Sequence, residues 1–132
     1  MTKSLSNVVV KPFAVNEFLS ISEFSLVTSG TASLESAVIG CPPIICYKTN
    51  PVNYFIISRM LKVQNIGLPN LLLGDSVFPE LIQNECNQKN LLLAADKIFK
   101  IIPQMNKIQS EIKKKLCGVI LKILSAASNR FF

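Results

Sequence analysis

The stretch from Phe24 to Glu35 reads FSLVTSGTASLE and decides the fold predicted for this chain. It starts with an apolar run, Phe24 to Val27, that is typical of a buried strand, and an apolar segment of helical length follows from Leu34 to Ile39. The Ser-Gly-Thr turn between them would leave backbone N–H groups and hydroxyls free at the start of the helix, where phosphate groups bind. The pattern predicts an α/β unit with an anion site at the end of a strand.

The polar residues of this turn admit two interpretations. The first is an ordinary helix cap, in which Ser29 or Thr31 is the N-cap and Gly30 relieves a tight turn. A capping box would place a glutamate three residues after the cap, whereas Glu35 stands four residues after Thr31. The second is a ligand site, because a carboxylate here can accept hydrogen bonds from two adjacent sugar hydroxyls. Spacing alone favours neither interpretation.

The rest of the chain alternates predicted strands and helices. Strands are predicted at 8–10, 24–27 and 43–47, with a short strand and turn at 65–70. Helices are predicted at 14–21, from the end of the 28–31 loop to about 39, and at 51–62, 91–102 and 105–124, with one or two helical turns at 79–83. Continuously apolar strands separated by helices indicate a parallel sheet covered on both faces.

The predicted sheet is small for its class. Three or four strands are few for a doubly wound domain, in which five or six are usual. We therefore expect the 132 residues to form a single, incomplete domain whose sheet has an apolar open edge.

The composition narrows the chemistry available to the chain. There is no histidine, and the four cysteines have no C-x-x-C spacing, so we expect neither a metal site nor a cofactor. The net charge of +6 comes from twelve lysines and only two arginines, which argues against specific nucleic-acid recognition and fits anionic lipid surfaces. No apolar stretch approaches the roughly 20 residues of a transmembrane helix, and no signal peptide is visible, so a cytoplasmic location is expected.

Two further polar residues are candidates for a binding site. Tyr47 ends the predicted strand 43–47, and ligands of open α/β sheets bind outside the carboxyl ends of strands. Asn70 follows Pro69 in a predicted turn, and from the residues alone the simpler role is to stabilise that turn. The carboxylates Asp75, Glu80 and Glu85 form no convincing acid–base pair, so no catalytic residue is predicted.

Five segments of the chain, taken in order, resemble the C-terminal part of the bacterial lipid-A-disaccharide synthases. They are Ser29–Glu35, Gly40–Pro43, Tyr47–Lys48, Leu68–Gly74 and Pro79–Gln83. The resemblance spans about Val8 to the final helix and implies a GT-B glycosyltransferase with two Rossmann-like domains. Such an enzyme transfers diacylglucosamine from a UDP carrier to a monosaccharide lipid acceptor, without a metal, at the cytoplasmic face of the inner membrane.

The resemblance also implies roles for individual residues. Ser29, Gly30 and Thr31 would hold the diphosphate, Glu35 would bind the ribose hydroxyls, and Asn70 would line the donor site. The acceptor site and the candidate catalytic base belong to an N-terminal domain that this chain lacks. Residues 1–132 are thus predicted to form an incomplete UDP-sugar-binding C-terminal domain, inactive alone.

The predicted partners are a UDP-sugar donor, the missing acceptor domain, an anionic membrane surface and a second copy joined through an exposed last helix. Three alternatives stay open at this point. They are a GT-B donor domain for another nucleotide sugar, a non-enzymatic remnant, and a small basic module that binds membranes or nucleic acid.

Overall fold

The structure is a computed structural model that describes residues 7–28, 30–50, 55 and 65–131. In chain order its elements are α1 (Val15–Ile21), β1 (Ser25–Val27), α2 (Thr31–Ile39), β2 (Pro43–Tyr47), α3 (Leu68–Leu73), β3 (Glu80–Ile82), α4 (Gln88–Ile101) and α5 (Met105–Phe131), with 3-10 turns at Gln83–Glu85 and Ile102–Gln104. The helix predicted over 51–62 lies outside the described residues, apart from Phe55.

The three strands of the described ranges form one parallel sheet in the order β1-β2-β3. Leu26 lies opposite Ile44 in the first pair of strands, and Ile45 lies opposite Glu80 in the second. The predicted class is confirmed: this is a partial Rossmann-like α/β fold, a parallel sheet flanked by helices with a long C-terminal helix.

The centre of the core is the middle of β2, where Ile44 and Ile45 are both almost completely buried. Successive side chains of a strand point to opposite faces, so these two residues serve opposite layers. Ile44 lies beside Leu91 and Ala95 of α4, and Ile45 lies against Gly67, just before α3. On that second side, α5 packs across α2 and α3 and buries Ile112.

Helix α2 is fixed at its end and along its buried face. Gly40 ends it in the left-handed conformation, with φ of 105°, and donates its N–H to the carbonyl oxygens of Ser36 and Ala37. The buried Ser36 hydroxyl lies 2.6 Å from the Ser25 hydroxyl of β1 and donates to the Cys41 carbonyl at 2.7 Å. These bonds tie the start of β1 to the end of α2.

The predicted strand over residues 8–10 is wrong. Val8, Val9 and Val10 are 57%, 77% and 87% exposed and have no strand partner among the described residues. A β-branched run favours an extended backbone, but only a neighbouring strand can satisfy its N–H and C=O groups.

Two predicted elements between 65 and 83 have the wrong type. The predicted strand and turn at 65–70 is instead the entry to helix α3, which has Pro69 in its first turn and ends at Gly74 in the left-handed conformation. Proline just inside the start and glycine just past the end are typical of a helix. The predicted helical turns at 79–83 are instead strand β3, which pairs with β2.

Candidate functional site

The loops that follow the three strands lie together at the carboxyl edge of the sheet. Val27, the last residue of β1, pairs with Ile45 of β2, and Thr28 begins the loop that leads to α2. Tyr47 pairs with Ile82, so the loops after β2 and β3 also leave side by side. This is the edge at which open parallel sheets bind ligands.

The start of α2 is built by Gly30, which is its N-cap. Gly30 has φ of 103° and ψ of −150°, a region that only glycine adopts without strain. The helix has no side-chain cap, and the Gly30 carbonyl accepts a hydrogen bond from the Ser33 hydroxyl at 2.8 Å. The interpretation of Thr31 as N-cap is therefore wrong, and the first-turn N–H groups lack a side-chain acceptor within the described ranges. Ser29 lies outside those ranges.

Thr31 and Glu35 stand on the side of α2 that faces away from the core. The buried residues of this helix are Ser33, Ser36 and Ala37, whereas Thr31 and Glu35 are exposed. Residues four apart are neighbours on a helix surface, so the hydroxyl and the carboxylate share one open face. In the part of the chain that the structure describes, Glu35 makes neither a hydrogen bond nor an ion pair, which leaves its carboxylate available to a ligand.

Tyr47 and Gln83 mark the neighbouring strand ends. Tyr47 is half-buried at the end of β2. Beyond it, the Thr49 N–H donates to Gln83 Oε1 at 2.9 Å, and Gln83 Nε2 donates to the Thr49 carbonyl at 2.9 Å. Gln83 adopts φ of +52°, which is uncommon for a residue other than glycine. This clamp joins the loops after β2 and β3 at the carboxyl edge of the sheet.

The sequence prediction missed the clamp because it placed Gln83 in a helical turn. One signal was present: a proline restricts the preceding residue to extended conformations, so Phe78-Pro79 already favours a strand over a helix.

Asn70 of α3 is fully buried, and its side chain hydrogen-bonds to the segment that leads into β3. Its Nδ2 donates to the Phe78 carbonyl and to Glu80 Oε1, both at 2.8 Å, and its Oδ1 accepts the Phe78 N–H at 2.9 Å. These bonds use both N–H groups of the amide and one of the two lone pairs of its oxygen. The predicted place of Asn70 in the donor site stays a prediction.

Glu80, whose role was also missed, completes this network at the entry to α3. Its carboxylate accepts the N–H groups of Ile66 at 2.7 Å and Gly67 at 3.0 Å, besides the Asn70 amide. Nothing in the local sequence pairs residue 80 with residues 66 to 70, because the contact forms only when β3 joins the sheet.

A pair of thiols lies next to the strand ends. Burial raises the pKa of the Cys46 thiol, and the neighbouring Cys86 thiol, which hydrogen-bonds to it, adds to the increase. Cys86 Sγ also donates to the Leu81 carbonyl at 2.9 Å. A raised pKa keeps Cys46 protonated and weakly nucleophilic at neutral pH.

Two other kinds of feature, a metal site and a membrane-spanning helix, are absent from the described ranges. No three His, Cys, Asp or Glu side chains gather there in a group that could hold a metal ion. Among the same residues, no helix combines the length and the apolar character needed to span a membrane.

The sequence of the chain can now be compared with known protein families. A profile described as lipid-A-disaccharide synthetase matches residues 2–128, which is nearly the whole chain. The chain belongs to the lipid-A-disaccharide synthetase family.

Individual members of the lipid-A-disaccharide synthetase family agree with the profile. The chain is 41% identical over 100 residues to the lipid-A-disaccharide synthase of a Sulfurihydrogenibium species, a match that covers 72% of this chain and 25% of the relative. It is 42% identical over 95 residues to the enzyme of that name from Aquifex aeolicus, covering 72% of this chain and 24% of the relative. It is 44% identical over 75 residues to that of Wigglesworthia glossinidia brevipalpis, covering 57% and 20%.

The chain thus spans between a fifth and a quarter of the length of these relatives. The prediction that the chain resembles only a part of this family's protein, rather than the whole of it, is confirmed.

Proposed function

We propose that this chain is the donor-binding part of a lipid-A-disaccharide synthase and holds the UDP of a UDP-diacylglucosamine donor. The observation that carries the proposal is the start of α2, where Gly30 is the cap and no side chain of the described residues caps the helix. Uncapped N–H groups and the positive end of the helix dipole attract a diphosphate. Thr31 and Ser29 would add hydroxyl donors to the same oxygens.

Glu35 would bind the ribose. Its exposed carboxylate stands one helical turn beyond Thr31, so a nucleotide whose diphosphate lies at the helix start would bring its sugar along this face. An ionised carboxylate accepts two hydroxyl donors in a charge-assisted pair of hydrogen bonds. Tyr47 would line the neighbouring strand end, and Asn70 would act indirectly, by holding the loop that enters β3.

Nothing in these residues performs the sugar transfer itself. The chain would bind and orient the donor, while the acceptor lipid and the proton transfer would be handled by an acceptor domain supplied by the rest of the family's sequence. We therefore propose that the chain has no transferase activity alone. Turnover by the purified chain, given donor and monosaccharide lipid, would refute this part of the proposal.

Calorimetric titration of UDP into the chain tests the site. Glu35→Gln should weaken UDP binding about tenfold or more, because a hydrogen bond to a charged group contributes about 1.5–3 kcal/mol. Glu23→Gln is the matched control: Glu23 is exposed and precedes β1, at the opposite edge of the sheet. Equal affinities for the two variants, or no binding of UDP, would remove the assignment. Preference for GDP or ADP over UDP would favour the alternative, a donor domain for another nucleotide sugar.

The distal half of α5 supports a proposal about location, peripheral to the inner membrane on its cytoplasmic side. Val119, Ile120, Leu121, Ile123 and Leu124 are all at least 44% exposed. Lysines at 113, 114 and 122 share the helix, and such basic amphipathic helices bind anionic surfaces. Sedimentation with anionic vesicles should be strong at low salt and lost in high salt. Concentration-dependent self-association without vesicle binding would instead favour a homodimer through this helix.

A further inference from the structure

The thiols of Cys46 and Cys86 lie in contact near the carboxyl edge of the sheet, although they belong to distant parts of the chain. Cys46 lies in β2, where it pairs with Leu81 of β3. Beyond β3 the turn Gln83–Glu85 folds the chain back, and Cys86 Sγ lies 2.9 Å from the Leu81 carbonyl oxygen and 3.9 Å from that of Tyr47. The two thiols hydrogen-bond to each other. Strand pairing and the turn together therefore place two sulfur atoms side by side.

The Cys86 side chain is open to small molecules. It lines an apolar groove of about 350 Å³ between the sheet and α4, whose walls include Phe24, Leu91 and Ala95. Cys86 and Cys46 are each half-buried, and of the two it is Cys86 that belongs to the wall of this groove. A dissolved oxidant would therefore meet the Cys86 sulfur first and find the Cys46 sulfur in contact with it.

We propose that Cys46 and Cys86 form a dithiol site that a hydroperoxide oxidises to a reversible disulfide. A cysteine without a second thiol beside it is oxidised to a sulfenic acid and then irreversibly to a sulfinic acid, whereas a neighbouring thiol intercepts the sulfenic acid as a disulfide. Cys41 is buried, and Cys117 is exposed on α5, which packs on α2 and α3. The pair combines access from solvent with a second thiol in contact. The proposal does not depend on nucleotide binding.

The oxidation proceeds in two steps that balance. The Cys86 sulfur, having lost its proton, attacks one peroxide oxygen; the O–O bond breaks, and the departing hydroxide takes up a proton to leave a sulfenic acid and one water. The Cys46 sulfur then attacks the Cys86 sulfur, so that an S–S bond forms, the S–O bond breaks and the Cys46 proton leaves in a second water. Burial raises the pKa of Cys46 and slows it toward external reagents, but its contact with Cys86 makes this attack intramolecular. Two electrons pass from the two sulfurs to the peroxide.

The test treats the reduced, folded chain with hydrogen peroxide, alkylates the remaining thiols and maps the peptides by mass spectrometry. The peptides that contain Cys46 and Cys86 should be joined without added oxygen, and dithiothreitol should separate them. Cys46→Ser should abolish this link and raise trapping of the Cys86 sulfenic acid by dimedone roughly tenfold. Cys117→Ser is the matched control, because it removes an exposed thiol outside the pair, and it should form the link at the parent rate. Circular dichroism checks that each variant is folded.

The same oxidation of the parent chain in concentrated urea tests whether the fold creates the pair, without any substitution. Loop closure in an unfolded chain favours near neighbours, so links between Cys41 and Cys46 should then replace most of those between Cys46 and Cys86. The proposal is overturned if the folded chain forms no Cys46–Cys86 bond, if Cys46→Ser and Cys117→Ser behave alike, or if folded and unfolded chains give the same links. None of these results bears on the UDP titration, so the two proposals fail separately.

Discussion

The start of α2 and the loop that leads into β3 are both rich in polar side chains, and they use them in opposite ways. In the first half of α2, Thr31 and Glu35 are exposed, and no side chain of the described residues caps this helix. In the segment from 65 to 80, which includes α3, Asn70 is fully buried and its amide makes three hydrogen bonds.

The difference teaches how to separate a binding loop from a supporting one. A buried amide whose hydrogen bonds are made within the chain contributes chiefly to the stability of the fold. An exposed carboxylate without a partner contributes little to the fold and retains its full capacity to bind. Substitutions in the two regions should therefore affect different measurements, stability in one and ligand affinity in the other.

The largest effect on stability is expected for Asn70→Ala. It leaves the Phe78 N–H and C=O without their side-chain partner in a buried site and removes one of the two donors to Glu80 Oε1, which should lower the free energy of unfolding by about 2–4 kcal/mol. Urea denaturation followed by circular dichroism measures this. Asn106→Ala, at an exposed position of α5, is the control and should stay close to the parent. A loss below about 0.5 kcal/mol for Asn70→Ala would show that the network is not structural.

Gly30→Ala should have the next largest effect on stability. It should lower the free energy of unfolding by about 1–3 kcal/mol, because alanine at φ of 103° and ψ of −150° is strained. A Cβ at Gly30 would meet no atom within 4 Å, so the effect comes from the backbone alone. Gly118→Ala gives the opposite sign: Gly118 lies inside α5 with open space around it, and alanine there should stabilise by about 0.5–1 kcal/mol. Equal effects of the two substitutions on the urea midpoint would contradict this conformation of Gly30.

The two carboxylates give the sharpest contrast. Glu80→Gln removes one of the acceptor oxygens for Ile66, Gly67 and Asn70 and should lower stability by about 1–2 kcal/mol. Glu35→Gln should leave the urea midpoint unchanged within error. The contrast between the two regions is contradicted if Glu35→Gln destabilises the chain as much as Glu80→Gln does.

The smallest expected effect is a difference in alkylation rate between two of the thiols. Burial raises the pKa of Cys46 and limits access to its sulfur, so iodoacetamide at pH 8 should modify the exposed Cys117 several times faster than Cys46. The sign for stability follows: the unfolded thiol ionises at a lower pH than the folded one, so stability falls as the pH rises past the ordinary cysteine pKa. Mass spectrometry of the alkylated peptides, timed over minutes, gives the two rates. Faster labelling of Cys46 than of Cys117 would contradict its half-buried position.

Local signals accounted for the elements with strong patterns. The apolar run at Pro43–Tyr47 is β2 as predicted, and Asn87 is the N-cap that begins α4, its side chain accepting the Asn90 N–H. The predictions failed at 65–83, where short apolar runs fit a helix or a strand equally well and tertiary pairing decides. Residues 68–73 became a helix between two glycines, and residues 80–82 became a strand because β2 offered them an edge.

The candidate site was predictable only in part. The motif pointed to the start of α2, since the strand, turn and helix are consecutive in the chain. The supporting contacts of Gln83 and Glu80 join residues 10 to 34 positions apart, and no local pattern reports them. They appear only after the strands are placed next to each other.

The most direct test of the central claim is a nitrogen–proton correlation spectrum of the chain, titrated with UDP and, separately, with uridine. The amide signals of Gly30, Thr31, Ala32 and Ser33 should shift most with UDP and stay nearly still with uridine, because the diphosphate is the group that the start of α2 would hold. Largest shifts elsewhere on the sheet, or equal shifts with the two ligands, would contradict the account.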